Sequence, residues 1–355
     1  MPETSAKALL QAIRDMDMPP VTLMEVCGTH TMAIAKAGLK PLLSPKVRLL
    51  SGPGCPVCVT PACDIDACLA LCARPDVIVA SYGDMLRVPG SVPGESMLLQ
   101  KAMGADVRVV YSPMDAVEIA RENPGKKVVF LGVGFETTAP GTAIAVQTAR
   151  EQGVKNFLLL PLLKRLEPAL RALAAREDFA VDGLLCPGHV ASVLGAAGFA
   201  YVARELKRPA VIAGFETEDI LLAVYRLLLQ LQRGETRVEN AYPRAVREAG
   251  NPLALEKLNA VFTLCESVWR GMGRIPLSGY ALREEYEAFD AARVLDVRIM
   301  EEKPTACRCG DVIRGALAPK NCPLFGVCTP ETPIGPCMVS GEGACAASYT
   351  YGGDA

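Results

Sequence analysis

Short apolar runs alternate with amphipathic stretches along the first two thirds of the chain. Residues 21–26, 47–50, 77–80, 107–111, 128–133, 157–160, 184–186 and 210–213 are nearly continuous apolar runs, the pattern of strands covered on both faces. Between them lie stretches with helical spacing: 5–16, where Leu9, Leu10, Ile13 and Met16 share a face, then 60–72, 164–176, 190–206 and 219–232. Ser112-Pro113-Met114-Asp115 opens a further helix with a cap, a proline at its first position and an acid at its third, and Asn123-Pro124-Gly125 closes it. Another helix follows Thr138 and runs through Arg150. Strands alternating with helices predict βαβ units and parallel sheets, hence an α/β protein.

The pattern changes at the polar, proline-bearing stretch 233–252. Beyond it the chain reads as one helix, carrying Leu255, Leu258, Val261 and Phe262, and then as irregular structure. Six cysteines lie from Cys307 to Cys345 among many prolines and glycines, a composition that builds few regular elements and needs a cross-link for stability. With 355 residues the chain exceeds the ~250–300 at which a single core stops growing. The expected units are 20–125, an α/β domain with Cys27 and a CxxC pair; 126–235, a similar α/β domain; and 236–355, a loop-rich C-terminal domain that could include 1–19.

Composition narrows the function. A net charge of −2 and 5% aromatic residues give no nucleic-acid footprint. No apolar run approaches the ~20 residues of a membrane helix, and residues 1–17 carry charges where a signal peptide has its apolar core. A cytoplasmic protein is expected, in which thiols stay reduced, so the 14 cysteines read as ligands or redox groups before structural disulfides.

Cys55-Pro56-Val57-Cys58 follows Ser51-Gly52-Pro53-Gly54 at a strand end. Two thiols at this spacing on a constrained loop can hold a metal, form a reversible disulfide or activate one thiol. Cys27, in Glu25-Val26-Cys27-Gly28-Thr29-His30, joins them if the chain folds back; as single residues all three would be small buried side chains. Ligands of parallel sheets sit beyond the carboxyl ends of strands, where Cys27, Cys55, Cys58, Asp84, Glu136, His189 and Glu216 are all predicted to fall. His30 and His189 are the chain's two histidines. Gly134-Phe135-Glu136-Thr137 recurs as Gly214-Phe215-Glu216-Thr217, which reads as a duplicated binding loop, with helix capping by each glutamate as the rival. Cys68 and Cys72 share a helical face without an acid or histidine partner and read as packing. Neither glycine-rich turn makes GxGxxG or GxxxxGK(S/T), so no nucleotide site is predicted.

In the tail, Cys307, Cys309, Cys322, Cys328, Cys337 and Cys345 offer six thiolates. Four on loops suit a 4Fe-4S cluster or structural zinc; the irregular spacing favours iron–sulfur but does not choose the four. Soft thiolates with an imidazole nearby suit iron, zinc or copper, and a second, electron-carrying centre points to redox work at a thiol-bound metal.

Glu25-Val26-Cys27-Gly28-Thr29-His30-Thr31-Met32, Gly52-Pro53-Gly54-Cys55-Pro56-Val57-Cys58, Gly134-Phe135-Glu136-Thr137-Thr138 and a tail with Phe325-Gly326, Cys328-Thr329-Pro330 and Gly335-Pro336-Cys337-Met338-Val339-Ser340 together resemble the HypD family of hydrogenase maturation proteins, over about residues 20–350. The resemblance implies two similar α/β domains plus a cluster domain. It implies a scaffold for the Fe(CN)2CO unit of NiFe-hydrogenases, working with a small HypC-type partner that shares the iron and a HypE-type partner that supplies cyanide. By resemblance Cys27 holds the iron with His30 beside it, and Cys55 and Cys58 bind iron or cycle a disulfide. Cys307, Cys322, Cys328 and Cys345 then hold the 4Fe-4S cluster. The interval between Cys322 and Cys328 departs by one residue from the family's, which leaves Cys309 and Cys337 as substitutes. Two rival functions stay open: an iron–sulfur-dependent thiol–disulfide oxidoreductase and a zinc-stabilised binding module.

Overall fold

Every apolar run read above as a strand is one in the computed structural model, which describes residues 5–302 and 305–352. Positions 1–4, 303–304 and 353–355 of the ranges assigned above lie outside the described residues. The strands are β1 (Val21–Glu25), β2 (Val47–Ser51), β3 (Val77–Ser81), β4 (Val107–Val109), β5 (Lys127–Gly134), β6 (Phe157–Leu163), β7 (Gly183–Pro187), β8 (Ala210–Ala213), β9 (Val238–Asn240), β10 (Phe262–Trp269) and β11 (Gly273–Leu282). They form a five-stranded sheet in the order β2-β1-β7-β8-β9, a four-stranded sheet in the order β4-β3-β5-β6, and a β10-β11 hairpin. All pairs in the two larger sheets are parallel. The expected α/β class with two parallel sheets is therefore what the chain adopts.

The sheets do not follow the ranges 20–125 and 126–235. After β1 and β2 the chain leaves to build the whole second sheet, then returns with β7 on the free side of β1. Strand pairing is set by contacts remote in sequence, and no composition change marks this excursion. Each sheet thereby reverses direction once, between β1 and β7 and between β3 and β5. These reversal points open crevices at the strands' carboxyl ends, where α/β proteins bind ligands.

Three apolar clusters hold the layers. The largest joins Met24 and Val26 of the first sheet, Val79 and Val129 of the second, and Cys309 and Cys337 of the tail, so the tail is built into the same core. The N-terminal helix Ala6–Asp15 buries Leu9 and Ile13 against the outer face of the first sheet and the helix Thr217–Gln232, not against the tail. The outer face of the second sheet is covered by Phe262, Tyr280 and Tyr286 packing with Phe130 and Phe157.

The hairpin is the element that the polar pattern concealed. Pro276 and Leu277, the latter at φ 55°, interrupt β11, and the register slips between Cys265 and Ser267, so neither strand alternates cleanly. The stretch 190–206 is likewise not one helix: Gly188–Leu194 ends at Gly195, φ 80°, whose missing side chain lets the backbone of Glu248 approach, and short turns follow. Among the described residues no helix is long and apolar enough to cross a membrane.

Candidate metal and thiol centre

β1 and β2 are adjacent and in register, with Glu25 opposite Ser51, so the loops carrying Cys27 and Cys55 leave the same edge. Their backbones then touch. Gly52 N–H donates to Glu25 O at 2.7 Å, and Gly28 N–H donates to Gly54 O at 3.0 Å. A Cβ on Gly54 would lie 2.1 Å from Cys27 N, so only glycine permits this approach. Cys27 starts the helix Gly28–Lys36 and Cys55 the short turn Pro56–Val59, so the loops of the three predicted cysteines adjoin at one sheet edge.

Cys27 is buried, and burial pushes its thiol up to about 12; the N–H groups of His30 and Thr29 at the helix start act against that rise. Glu25 fixes the loop from below, accepting Cys27 N–H at 3.0 Å and the Thr31 hydroxyl, and burial pushes its carboxyl up to about 7. His30 is fully buried and held down to about 4 by desolvation. Its Nε2 donates to Gly214 O at 2.8 Å, which leaves Nδ1 as a lone-pair acceptor with no partner among the described residues.

Cys55 and Cys58 place their Sγ atoms 2.6 Å apart as free thiols, and Cys58 N–H donates to Cys55 Sγ at 3.3 Å. Opening and closing a disulfide here needs little backbone movement. The Cys55 thiol also donates to Ser340 Oγ at 3.6 Å. Ser340 belongs to a strap from the tail. Its Oγ accepts Glu342 N–H at 3.2 Å, and Glu342 Oε1 accepts the Thr29 hydroxyl at 2.6 Å beside Cys27. Glu342 escaped the sequence reading; its one signal is an acid between two glycines within a thiol-rich segment.

Of the other predicted residues, Asp84 is exposed and lines a cavity of about 320 Å³ with Cys55, Tyr82, Tyr111 and Glu342, so it belongs with the CxxC pair. His189 is exposed at the end of β7 and stacks on Phe215 at 3.9 Å; the His30 ring lies 4.8 Å from the same ring. Desolvation holds His189 below its ordinary value.

The two Gly-Phe-Glu-Thr copies diverge. Glu216 is exposed, 3.6 Å from Arg244. Glu136 is fully buried and accepts Leu166 N–H at 3.0 Å, capping the helix Leu166–Ala174 rather than the helix that follows it in sequence. Phe135 stacks on Trp269, whereas Phe215 touches both histidines. The copies occupy equivalent strand ends, but only the second touches the histidines.

Burial pushes Glu136 up to about 7. The folded chain then holds a proton that the unfolded chain has released between about pH 4.5 and 7, so this group's stabilisation falls as pH rises through that window. Glu136→Gln keeps an acceptor for Leu166 N–H and is expected to flatten that slope. Urea unfolding at pH 5 and pH 7.5 checks this; an equal loss of stability in variant and wild type would contradict it.

The tail gathers its thiols. Cys307, Cys309, Cys322, Cys328, Cys337 and Cys345 line one cavity with Leu324, Phe325 and Met338. An apolar chamber lined by six thiols fits a thiolate-held iron–sulfur cluster, although among the described residues no three metal-binding side chains converge tightly on one ion-sized point. Cys58, Cys309 and Cys337 share one buried cluster, against which Cys307 and Cys345 pack. Buried sulfur thus extends from the CxxC pair to the tail cavity. Cys63, Cys68 and Cys72 are buried; Cys68 and Cys72 pack in the main core, as their spacing suggested.

These features define a class: an α/β protein with two parallel sheets that sets buried thiols at a strand-end crevice and connects them through sulfur to a cysteine-lined tail. The chain belongs to the HypD family, whose model, described as "Hydrogenase formation hypA family", matches residues 4–352. It is 47% identical to the hydrogenase maturation factor HypD of Escherichia coli, over 94% of this chain and 89% of that one. It is 44% identical to the hydrogenase maturation factor HypD2 of Bradyrhizobium diazoefficiens, over 98% of this chain and 94% of that one, and 43% identical to the HypD of Cupriavidus necator, over 93% and 89%.

Proposed function

We propose that this protein is a maturation factor of NiFe-hydrogenases that holds an iron atom at Cys27 while cyanide and carbon monoxide are attached, giving the Fe(CN)2CO unit. One observation carries the reading: the loops of the buried Cys27 thiol and of the Cys55/Cys58 dithiol touch at one sheet edge, where Ser340 bonds Cys55 and Glu342 bonds Thr29. A HypC-type partner shares the iron from the open side, and a HypE-type partner delivers cyanide as a thiocyanate. The free-thiol chemistry suits the reducing interior of the cell.

The iron is cargo. Low-spin iron bearing cyanide and carbon monoxide favours strong donors, and a thiolate is one. Cys27 loses its proton when the cation binds, since burial keeps it a thiol otherwise. Releasing cyanide from R–S–C≡N takes two electrons and one proton, giving R–SH and CN⁻. The dithiol of Cys55 and Cys58 supplies two electrons and two protons on becoming a disulfide: one proton goes to the departing sulfur, the other to solvent, and CN⁻ to the iron. Two electrons and two protons reopen the disulfide.

Cys307, Cys322, Cys328 and Cys345 are the proposed holders of a 4Fe-4S cluster, which when bound supplies electrons singly at the far end of the sulfur path. Cys309 and Cys337 then lie between that end and Cys58.

Anaerobic purification with the partner, followed by metal analysis and infrared spectroscopy, tests the reading. Cyanide and carbon monoxide bands with more iron than the cluster needs are expected. Iron without those bands, together with disulfide exchange on a protein substrate, would point to an oxidoreductase. Zinc with a blank visible spectrum would point to a binding module.

A further inference from the structure

The turn of the β10-β11 hairpin is wedged between the CxxC segment and the tail. Arg270 N–H donates to Val59 O and its Nε to Thr60 O, each at 2.9 Å, immediately after Cys58. Gly271, at φ 72°, approaches so closely that a Cβ on it would lie 2.3 Å from Cα of Gly310, the residue after Cys309. Arg314 Nη1 donates to Gly271 O and closes the wedge.

Arg270 is 6% exposed, and its Nη2 is buried with no hydrogen-bond partner among the described residues. Nearby acids bond elsewhere: Asp311 pairs with Arg308 and Arg314, and Asp64 lies 3.6 Å from Lys164, though Asp64 and Glu302 both feel the Arg270 charge. Glu302 lines the same cavity as Arg270 and Cys307 but makes no ion pair with Arg270. A buried guanidinium with no ion pair among the described residues and an unpartnered N–H is costly unless something anionic comes to face it. Cys307 lines the same cavity as Arg270, and Cys309 precedes the Gly310 against which Gly271 packs.

We propose that Arg270 sets the redox balance of the tail's sulfur centre, putting a buried cation with a free N–H into the cavity that Cys307 lines, so that the reduced, more negative state is favoured. The inference rests on the cluster reading given above. A one-electron reduction of that centre changes no bond. It adds one negative charge, which a nearby buried cation with an unpartnered N–H stabilises, raising the reduction potential. Because the same residue is pinned to Val59 and Thr60, it also fixes the distance over which electrons pass toward Cys58.

The full chain, loaded anaerobically with iron and sulfide, is titrated with dithionite and followed by electron paramagnetic resonance; thermal melting monitors folding. R270Q is expected to shift the midpoint potential to more negative values at unchanged iron content, and R270K, which keeps the charge but loses the N–H, to fall between. A cluster-bearing R270Q at the wild-type potential overturns the inference alone. Should R270Q not fold, R270K at the wild-type potential overturns it. A wild-type chain that takes up no cluster overturns the cluster reading and the inference together.

Discussion

Cys27→Ala is expected to abolish the cyanide and carbon monoxide infrared bands of the partner-bound protein and to lower hydrogenase maturation in cells by at least about 100-fold, the loss that follows removal of a residue on which a reaction depends. Stability should change little. Cys27 makes no side-chain cap on the helix it starts, and alanine fills most of its space, so the cost is about 1 kcal/mol. Iron in the tail should be unaffected, because Cys27 lies at the end of β1, outside the cysteine-lined cavity. Infrared spectra and iron content of the purified variant check both halves. Retained bands would show that the iron sits elsewhere.

Gly54→Ala is expected to damage the same site from the backbone. The new Cβ would lie 2.1 Å from Cys27 N and 2.3 Å from Val26 C, and no side-chain rotation relieves a clash with backbone. Either the two loops part or the strands beneath them shift, costing about 3 kcal/mol or more. Gly341→Ala is the control: nothing lies within 4 Å of its Cβ position, and an effect below about 0.5 kcal/mol is expected. Denaturant melts of the pair, with iron retention measured alongside, decide the matter. An unperturbed Gly54→Ala would mean that the Cys27 and CxxC loops are not held in contact.

What could be read from the residues divides by range. Strand ends were legible because parallel strands are apolar runs that stop at glycine, proline and cysteine. Their carboxyl ends therefore locate Cys27, Cys55, Cys58, Asp84 and His189 before any pairing is known. Domain limits were not legible, since the return of β7 to β1 depends on pairing of Leu23 with Gly183, far apart in sequence. The fates of Glu136 and Glu216 could not be told apart from identical tetrapeptides. One faces the backbone of Leu166 in the interior, the other faces Arg244 and solvent.

Arg270 carried no local signal, and Glu342 only that of an acid between two glycines. Each acts through groups remote in the chain: Arg270 reaches Val59 and Thr60, and Glu342 reaches Thr29. The cysteine-rich tail announced a cross-linked unit, but not that its Cys309 and Cys337 enter the main core and pack with the CxxC segment. That contact is what turns two separate thiol motifs into one sulfur path.

The decisive measurement is a count of thiols at Cys55 and Cys58 by mass spectrometry during one turnover, with iron-loaded, fully reduced protein mixed anaerobically with a thiocyanate-bearing donor. The account predicts one Cys55–Cys58 disulfide formed for each cyanide that reaches the iron. Cyanide on the iron with both thiols still free would contradict it.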